Sequence, residues 1–101
     1  MVDVMTRLGD VKSLTEKALQ ASEADGQASV VLVAVVREFD SKANKANRAS
    51  GAEAERDAVI ELEQAGDSAK AAAEADPGAG EMTKQAVLDA HLSICILKTE
   101  L

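Results

Sequence analysis

The 101-residue chain is poor in the residue types that build sheets, disulfides and aromatic cores. It contains one aromatic residue, Phe39, one proline, Pro77, one cysteine, Cys95, and neither tryptophan nor tyrosine. One proline and six glycines leave little material for the many turns of an all-β fold. A single cysteine cannot form an internal disulfide, so the fold does not depend on an oxidising compartment. The apolar residues that are present are mostly alanine, valine and leucine, which suits close packing of helix on helix.

Positive charge and long apolar runs are also scarce. The net charge is −7, with 11 basic against 18 acidic residues. We therefore expect no nucleic-acid partner, because phosphate contact needs clustered Lys and Arg.

The longest apolar run, residues 30–36, is far shorter than the ~20 residues of a membrane span, so we expect no membrane partner either. The N-terminus lacks the basic start and apolar stretch of a signal peptide, which predicts a cytoplasmic location.

Three breaks divide the chain into four pieces of similar length. They lie at Gly26, at Ser50–Gly51 and at Pro77–Gly80, and Gly26 is expected to end its helix in the left-handed conformation. Within each piece, apolar and small residues recur at alternating spacings of three and four, as in a helix with one buried face. The predicted stripes are Val4, Leu8, Val11, Thr15, Ala18 and Ser22; Leu32, Val36, Phe39, Ala43, Ala46 and Ser50; Val59, Leu62, Gly66, Ala69 and Ala73; and Val87, Ala90, Ile94, Leu97 and Leu101. The sequence predicts helices over residues 3–24, 28–49, 52–75 and 80–101. As one domain, residues 1–101, they are expected to form an all-α, up-down four-helix bundle, completed by dimerisation, with Met82 and Val87 together at one end of its core.

The first helix has two possible starts. Gly9 lies inside the predicted helix, and the segment SLTE, residues 13–16, is a capping-box pattern that also begins helices. Residues 1–12 are therefore either part of the first helix or a separate turn or frayed arm.

The run SVVLVAVVREF, residues 29–39, has two possible structures. Its β-branched valines favour a strand. The run continues without a breaker into a segment that keeps helical spacing and is poor in strand formers, so a helix is the better interpretation. A helix that is apolar on nearly all sides must be covered on nearly all sides. One stripe of this helix faces the core, and the remaining apolar side chains need another cover.

The fourth helix shows the same apolar excess. Leu88, Leu92, Cys95 and Ile96 lie outside its main stripe. Two over-apolar helices in one small protein predict an intermolecular face, filled by a second copy or by a helical protein partner. The predicted interface residues are Val30, Val33, Val35, Leu92 and Ile96. The second helix is the preferred centre, because its run lacks any polar residue over two turns.

His91, the sole histidine, and Cys95 form an i, i+4 pair on the predicted fourth helix. Two such ligands do not make a zinc site, which normally takes four, and only carboxylates could complete the set. A histidine phosphotransfer bundle has an exposed histidine followed three residues later by lysine, whereas Ile94 occupies that position here. Both residues are interpreted as packing residues. The sequence therefore predicts no catalytic residue, no cofactor and no metal ligand.

An acidic segment follows a basic one across the Ser50–Gly51 turn. The basic residues are Arg37, Lys42, Lys45 and Arg48, and the acidic ones are Glu53, Glu55, Asp57, Glu61 and Glu63. Di-iron bundles need Glu-x-x-His pairs, which this segment lacks. The interpretation is a solvated face on which antiparallel helices 2 and 3 place opposite charges side by side.

These features favour a non-enzymatic protein–protein interaction module, a small acidic helical adaptor, chaperone or regulatory subunit. Two alternatives stay open. A small all-helical enzyme of the mutase kind would need several inward arginines, and the chain has only Arg7, Arg37, Arg48 and Arg56. A helical-hairpin protein secreted without a signal peptide would be expected to turn at Trp-x-Gly, and the turn near Ser50–Gly51 has no tryptophan.

Overall fold

The computed structural model describes residues 3–100, which form four α-helices joined by short loops. The helices are α1 (Val4–Ala24), α2 (Val30–Ala46), α3 (Ala52–Ala75) and α4 (Glu81–Thr99). Consecutive helices pack side by side, and α4 packs back against α1 to close a square. No strand occurs in residues 3–100. The predicted all-α four-helix bundle is therefore confirmed, and the valine run is helical.

α1 begins at Val4 and continues through Gly9 and the SLTE segment without a break. Asp3 caps it, since its Oδ1 accepts a hydrogen bond from the Thr6 backbone N–H at 3.2 Å. Of the two possible starts, the early one is confirmed. Met1, Val2 and Leu101, the predicted end of the fourth helix, lie outside the described residues.

Each helix contributes one buried stripe, and the predicted stripes match the core closely. The buried residues are Leu8, Val11, Thr15, Ala18, Ser22, Leu32, Val36, Phe39, Ala43, Ala46, Ala58, Val59, Leu62, Gly66, Ala69, Ala73, Thr83, Val87, Ala90, Ile94 and Leu97. Met82, expected to pack beside Val87, is instead 84% exposed. Thr83 takes the inward position in the first turn of α4, so the side chain before it points to solvent.

Phe39 is fully buried in the core, and Gly66 makes room for its ring. A Cβ atom on Gly66 would lie 3.1 Å from the Phe39 ring. This pairing of the largest side chain with the smallest residue is the interdigitation that a dense core requires.

The two helical hairpins, α1–α2 and α3–α4, repeat the same plan. Buried positions recur at one constant separation in the sequence, as with Leu8 and Val59 or Val36 and Val87. The correspondence extends to the loops, where EADGQA and EADPGA put Asp25 and Asp76 at the ends of α1 and α3. Both aspartates have an extended backbone, with φ/ψ of −84°/103° and −91°/105°.

Asp25 and Asp76 link the two hairpins at the end of the bundle where the α1–α2 and α3–α4 loops lie. We call this end the loop end. Asp25 Oδ2 accepts hydrogen bonds from the Gly80 N–H and from the Thr83 hydroxyl, both at 2.8 Å. Asp76 Oδ2 accepts the Ser29 N–H at 2.8 Å. Each loop therefore holds the start of the second helix of the other hairpin.

These hydrogen bonds lower the pKa of both carboxyl groups below the ordinary value for aspartate, because they stabilise the charged form. For Asp25 the main cause is the Gly80 N–H, and for Asp76 it is the Ser29 N–H.

Gly26 is not left-handed, since only Gly51 has a positive φ in residues 3–100. The prediction of a left-handed end at Gly26 is therefore wrong, and α1 ends instead at Asp25 in the extended conformation.

The predicted charge pairing between α2 and α3 is found in part. Lys42 and Lys45 both lie 3.6 Å from the carboxylate of Glu61. Arg37 pairs instead with Glu23 on α1, and Glu63 pairs with Lys98 on α4. All these pairs are at least partly exposed, so each contributes little to stability.

Candidate functional site

The predicted interface residues of α2 differ widely in exposure. Val30 is 86% exposed, and its neighbour Val31 is also exposed. Val33 is half-buried in a groove between α1 and α2, and Val35 is half-buried against the core. A helix in a square bundle has neighbours on two sides, which cover side chains beyond the central stripe. The exposed large apolar side chains of α2 are therefore confined to its first turn.

The outer face of α4 carries a longer apolar strip. Leu92 is 58% exposed and Ile96 is 42% exposed. Leu88, one turn before Leu92, is half-buried. Because residues four apart lie above one another on a helix, these three side chains form a continuous line. We call Leu88, Leu92 and Ile96 the α4 strip.

Two shallow grooves flank the end of α1. One, of about 410 Å³, lies between α1 and the start of α4 and is lined by Ala21, Ala24 and Met82. The other, of about 460 Å³, lies between α1 and α2 and is lined by Val30, Val33 and Arg37. Both are open to solvent, unlike the clefts that bury most of a small ligand. They extend the exposed apolar surface at the loop end.

His91 and Cys95 meet an acidic side chain that the sequence did not identify as their neighbour. The Nε2 atom of His91 lies 2.8 Å from Oδ1 of Asp67 on α3. Cys95 Sγ lies 3.5 Å from the same Nε2 atom. One ligand atom from each of the three residues falls within 4.8 Å of the others.

The electrostatics of this cluster oppose a free thiolate. Burial raises the pKa of the Cys95 thiol, and the negative charges of Glu63 and Asp67 raise it further. In a nucleophilic triad the thiol and the carboxylate face opposite nitrogens of the histidine ring. Here the Cys95 sulfur lies nearer to Nε2 than to Nδ1, at 3.5 and 3.9 Å, and Nε2 is also the atom that contacts Asp67, so the arrangement differs from that of a Cys–His–Asp nucleophile.

A signal in the sequence points to the α3 partners of His91 and Cys95. The loop at residues 76–80 lies midway between Asp67 and His91, and also midway between Glu63 and Cys95. Antiparallel helices joined by a short loop place such positions opposite one another. Glu63 belongs to the acidic set predicted to face the basic segment of α2, and Asp67 lies outside that set, so the match with α4 was missed.

Comparison with known proteins does not identify a relative. No protein-family model matches the chain, and neither the curated proteins nor the solved structures give a significant match.

Within residues 3–100, none of the helices combines the length and apolarity that crossing a membrane demands. All four arginines lie at least partly exposed on the surface.

Proposed function

We propose that the protein is a non-enzymatic protein–protein interaction module, a small acidic helical adaptor, chaperone or regulatory subunit, and that it self-associates through the α4 strip. The observation that supports this is the exposure of Leu92 and Ile96 in line with Leu88. Large apolar side chains in a continuous exposed line mark interaction surfaces more often than scattered single ones do. The proposal places the module in the cytoplasm, because a chain with one cysteine forms no internal disulfide and so needs no oxidising compartment.

A second copy of the chain suits the α4 strip because the strip is self-complementary. In a two-fold antiparallel pair, Leu92 meets Leu92 of the other copy, and Leu88 meets Ile96. Side chains spaced by four form the ridges that pack into the grooves of a facing helix. A helical protein with a similar strip is the alternative occupant.

The size of the strip sets the expected affinity. Three side chains on one helix bury less than the ~1,200–2,000 Å² of a typical stable complex. Each chain also carries a net charge of −7, so two copies repel one another. We therefore expect a weak dimer, micromolar in affinity, which salt strengthens by screening the repulsion.

The predicted interface on α2 is the alternative surface through which the protein could self-associate. Val30 has the exposure that an interface residue needs, and it borders an open groove. Val33 and Val35 are already half-buried within one chain, which leaves them less apolar area to bury against a partner. This difference favours α4 over α2 as the centre of the interface.

Light scattering over a range of micromolar concentrations tests the proposal with two matched variants. Leu92→Glu places a charge in the α4 strip, and Val30→Glu places the same charge at the exposed start of α2. We expect Leu92→Glu to abolish association and Val30→Glu to leave it unchanged, with helical circular dichroism retained in both.

Two outcomes would contradict the proposal. A protein that stays monomeric at all concentrations and salt levels does not self-associate, and the partner would then have to be another protein. Loss of association in Val30→Glu but not in Leu92→Glu would place the interface on α2.

A further inference from the structure

Two pairs of metal-ligand residues face each other between α3 and α4. Glu63 and Asp67 lie one turn apart on α3, and His91 and Cys95 lie one turn apart on α4. Side chains at such spacing share one face of a helix. The ligand atoms of Asp67, His91 and Cys95 already lie within 4.8 Å of one another. The fourth residue, Glu63, is half-buried beside them, and its Oε1 accepts a hydrogen bond from Lys98 at 3.2 Å.

The donor set has a clear metal preference. A thiolate sulfur with an imidazole nitrogen suits a borderline-soft ion such as Zn²⁺, whereas Mg²⁺ and Ca²⁺ prefer oxygen ligands alone. Carboxylates complete many zinc sites that lack further Cys or His. The antiparallel packing of α3 on α4 supplies the carboxylates that the sequence pattern of α4 lacks.

We propose that Asp67, His91 and Cys95 bind one divalent transition-metal ion, with Zn²⁺ as the best match, and that Glu63 or a water supplies the fourth ligand. The ion lies between α3 and α4 and links the two helices. This site goes beyond the proposed interaction function and is independent of it.

Binding requires small rearrangements at the side chains. The 2.8 Å contact between His91 and Asp67 opens so that the ion sits between the two atoms, each at about 2.0–2.2 Å from the metal. Asp67 has room to move, because more than half of its side chain is exposed, whereas only 17% of the His91 side chain is. The Cys95 thiol releases its proton to solvent as the metal–sulfur bond forms.

A cobalt titration of the full chain, kept reduced with a phosphine, tests the site. Co²⁺ substitutes for Zn²⁺, and a thiolate bound to it gives a charge-transfer absorption in the near ultraviolet. We expect this band to saturate at one ion per chain, and Zn²⁺ to displace the cobalt and abolish the band. Zn²⁺ should also raise the thermal unfolding midpoint, since an ion that binds only the folded state stabilises it.

Variants separate the proposed ligands from their surroundings. Cys95→Ser should lose the band, and His91→Gln or Asp67→Asn should weaken binding by more than the roughly 10–100-fold typical of losing an outer partner. Glu74→Gln is the matched control, because Glu74 borders the same groove as Asp67 and His91 but is not part of the cluster. It should bind cobalt as the unchanged protein does.

Three results would overturn the proposal. They are no charge-transfer band at saturating cobalt, unchanged affinity in Cys95→Ser, and one ion per two chains. Circular dichroism of each variant confirms that the bundle is intact, so that lost binding is not the result of unfolding.

Discussion

α2 and α4 occupy corresponding places in the two hairpins, yet they expose their large apolar side chains at different places. α2 exposes Val30 and Val31 in its first turn. α2 turns Phe39 onto Gly66 in the core, and its half-buried Val33 and Val35 are covered within the chain. α4 buries Ala90 at the position that corresponds to Phe39, and it leaves Leu92 and Ile96 exposed. The comparison teaches that an excess of apolar residues does not by itself mark an interface, because neighbouring helices cover part of it.

The largest expected effect distinguishes the two helices by what their big side chains contribute to the core. Phe39→Ala should lower the free energy of unfolding by about 3–5 kcal/mol, because it removes a fully buried ring and leaves a cavity beside Gly66. Leu92→Ala on α4 should change it by less than ~0.5 kcal/mol, since that side chain is mostly exposed. Urea unfolding at low protein concentration, where only the monomer is present, measures both. Equal losses would mean that the α4 strip belongs to the core.

A smaller effect is expected where the two helices carry the same new charge. Val33→Glu should cost roughly 0.5–3 kcal/mol, because it places a carboxylate in a half-covered groove and removes the apolar contacts of Val33. Leu92→Glu should stay within ~0.5 kcal/mol of the unchanged monomer, because its side chain points to water. Thermal or urea unfolding of the two variants provides the comparison. A larger loss in Leu92→Glu than in Val33→Glu would reverse the assignment of covered and open faces.

The smallest effect concerns how the starts of α2 and α4 are held. Asp76 holds α2 and Asp25 holds α4, and the pKa of each carboxyl is lower in the folded state than the ordinary value of 3.8. The stabilisation is fully present above the unfolded pKa and is lost as the pH falls through the lower, folded pKa. The unfolding free energy of the unchanged protein should therefore decline on acidification below about pH 4.

Asparagine variants assign that acid sensitivity to the two loops. Asp25→Asn should flatten the acid decline more than Asp76→Asn, because Asp25 accepts hydrogen bonds from three donors and Asp76 from two. Urea unfolding at neutral and acidic pH gives the slopes. Asp10→Asn, at an exposed position of α1, is the control and should leave the decline unchanged. An identical decline in all three variants would contradict the role given to the loop aspartates.

The fold was largely accessible from the sequence, whereas the candidate sites were accessible only in part. Spacings of three and four identified nearly every buried residue, because a helix of 3.6 residues per turn turns such spacing into one face. The pairing of His91 with Asp67 was not anticipated. The loop at residues 76–80 nevertheless lies midway between the two residues, so the sequence indicates that they face each other on antiparallel helices. The 84% exposure of Met82 was also not anticipated, although Thr83, four residues before Val87, continues the buried stripe of α4.

The sequence by itself determined that four helices form and which stripe of each is buried, because both follow from local periodicity and from breaks in the chain. Only the tertiary structure decided which of the remaining apolar side chains stay exposed, since that depends on where the two flanking helices lie. It also decided that Asp67 meets His91 and that Asp25 and Asp76 cross between hairpins. Such contacts join residues far apart in the chain, and their distances follow from how the helices pack rather than from any local pattern.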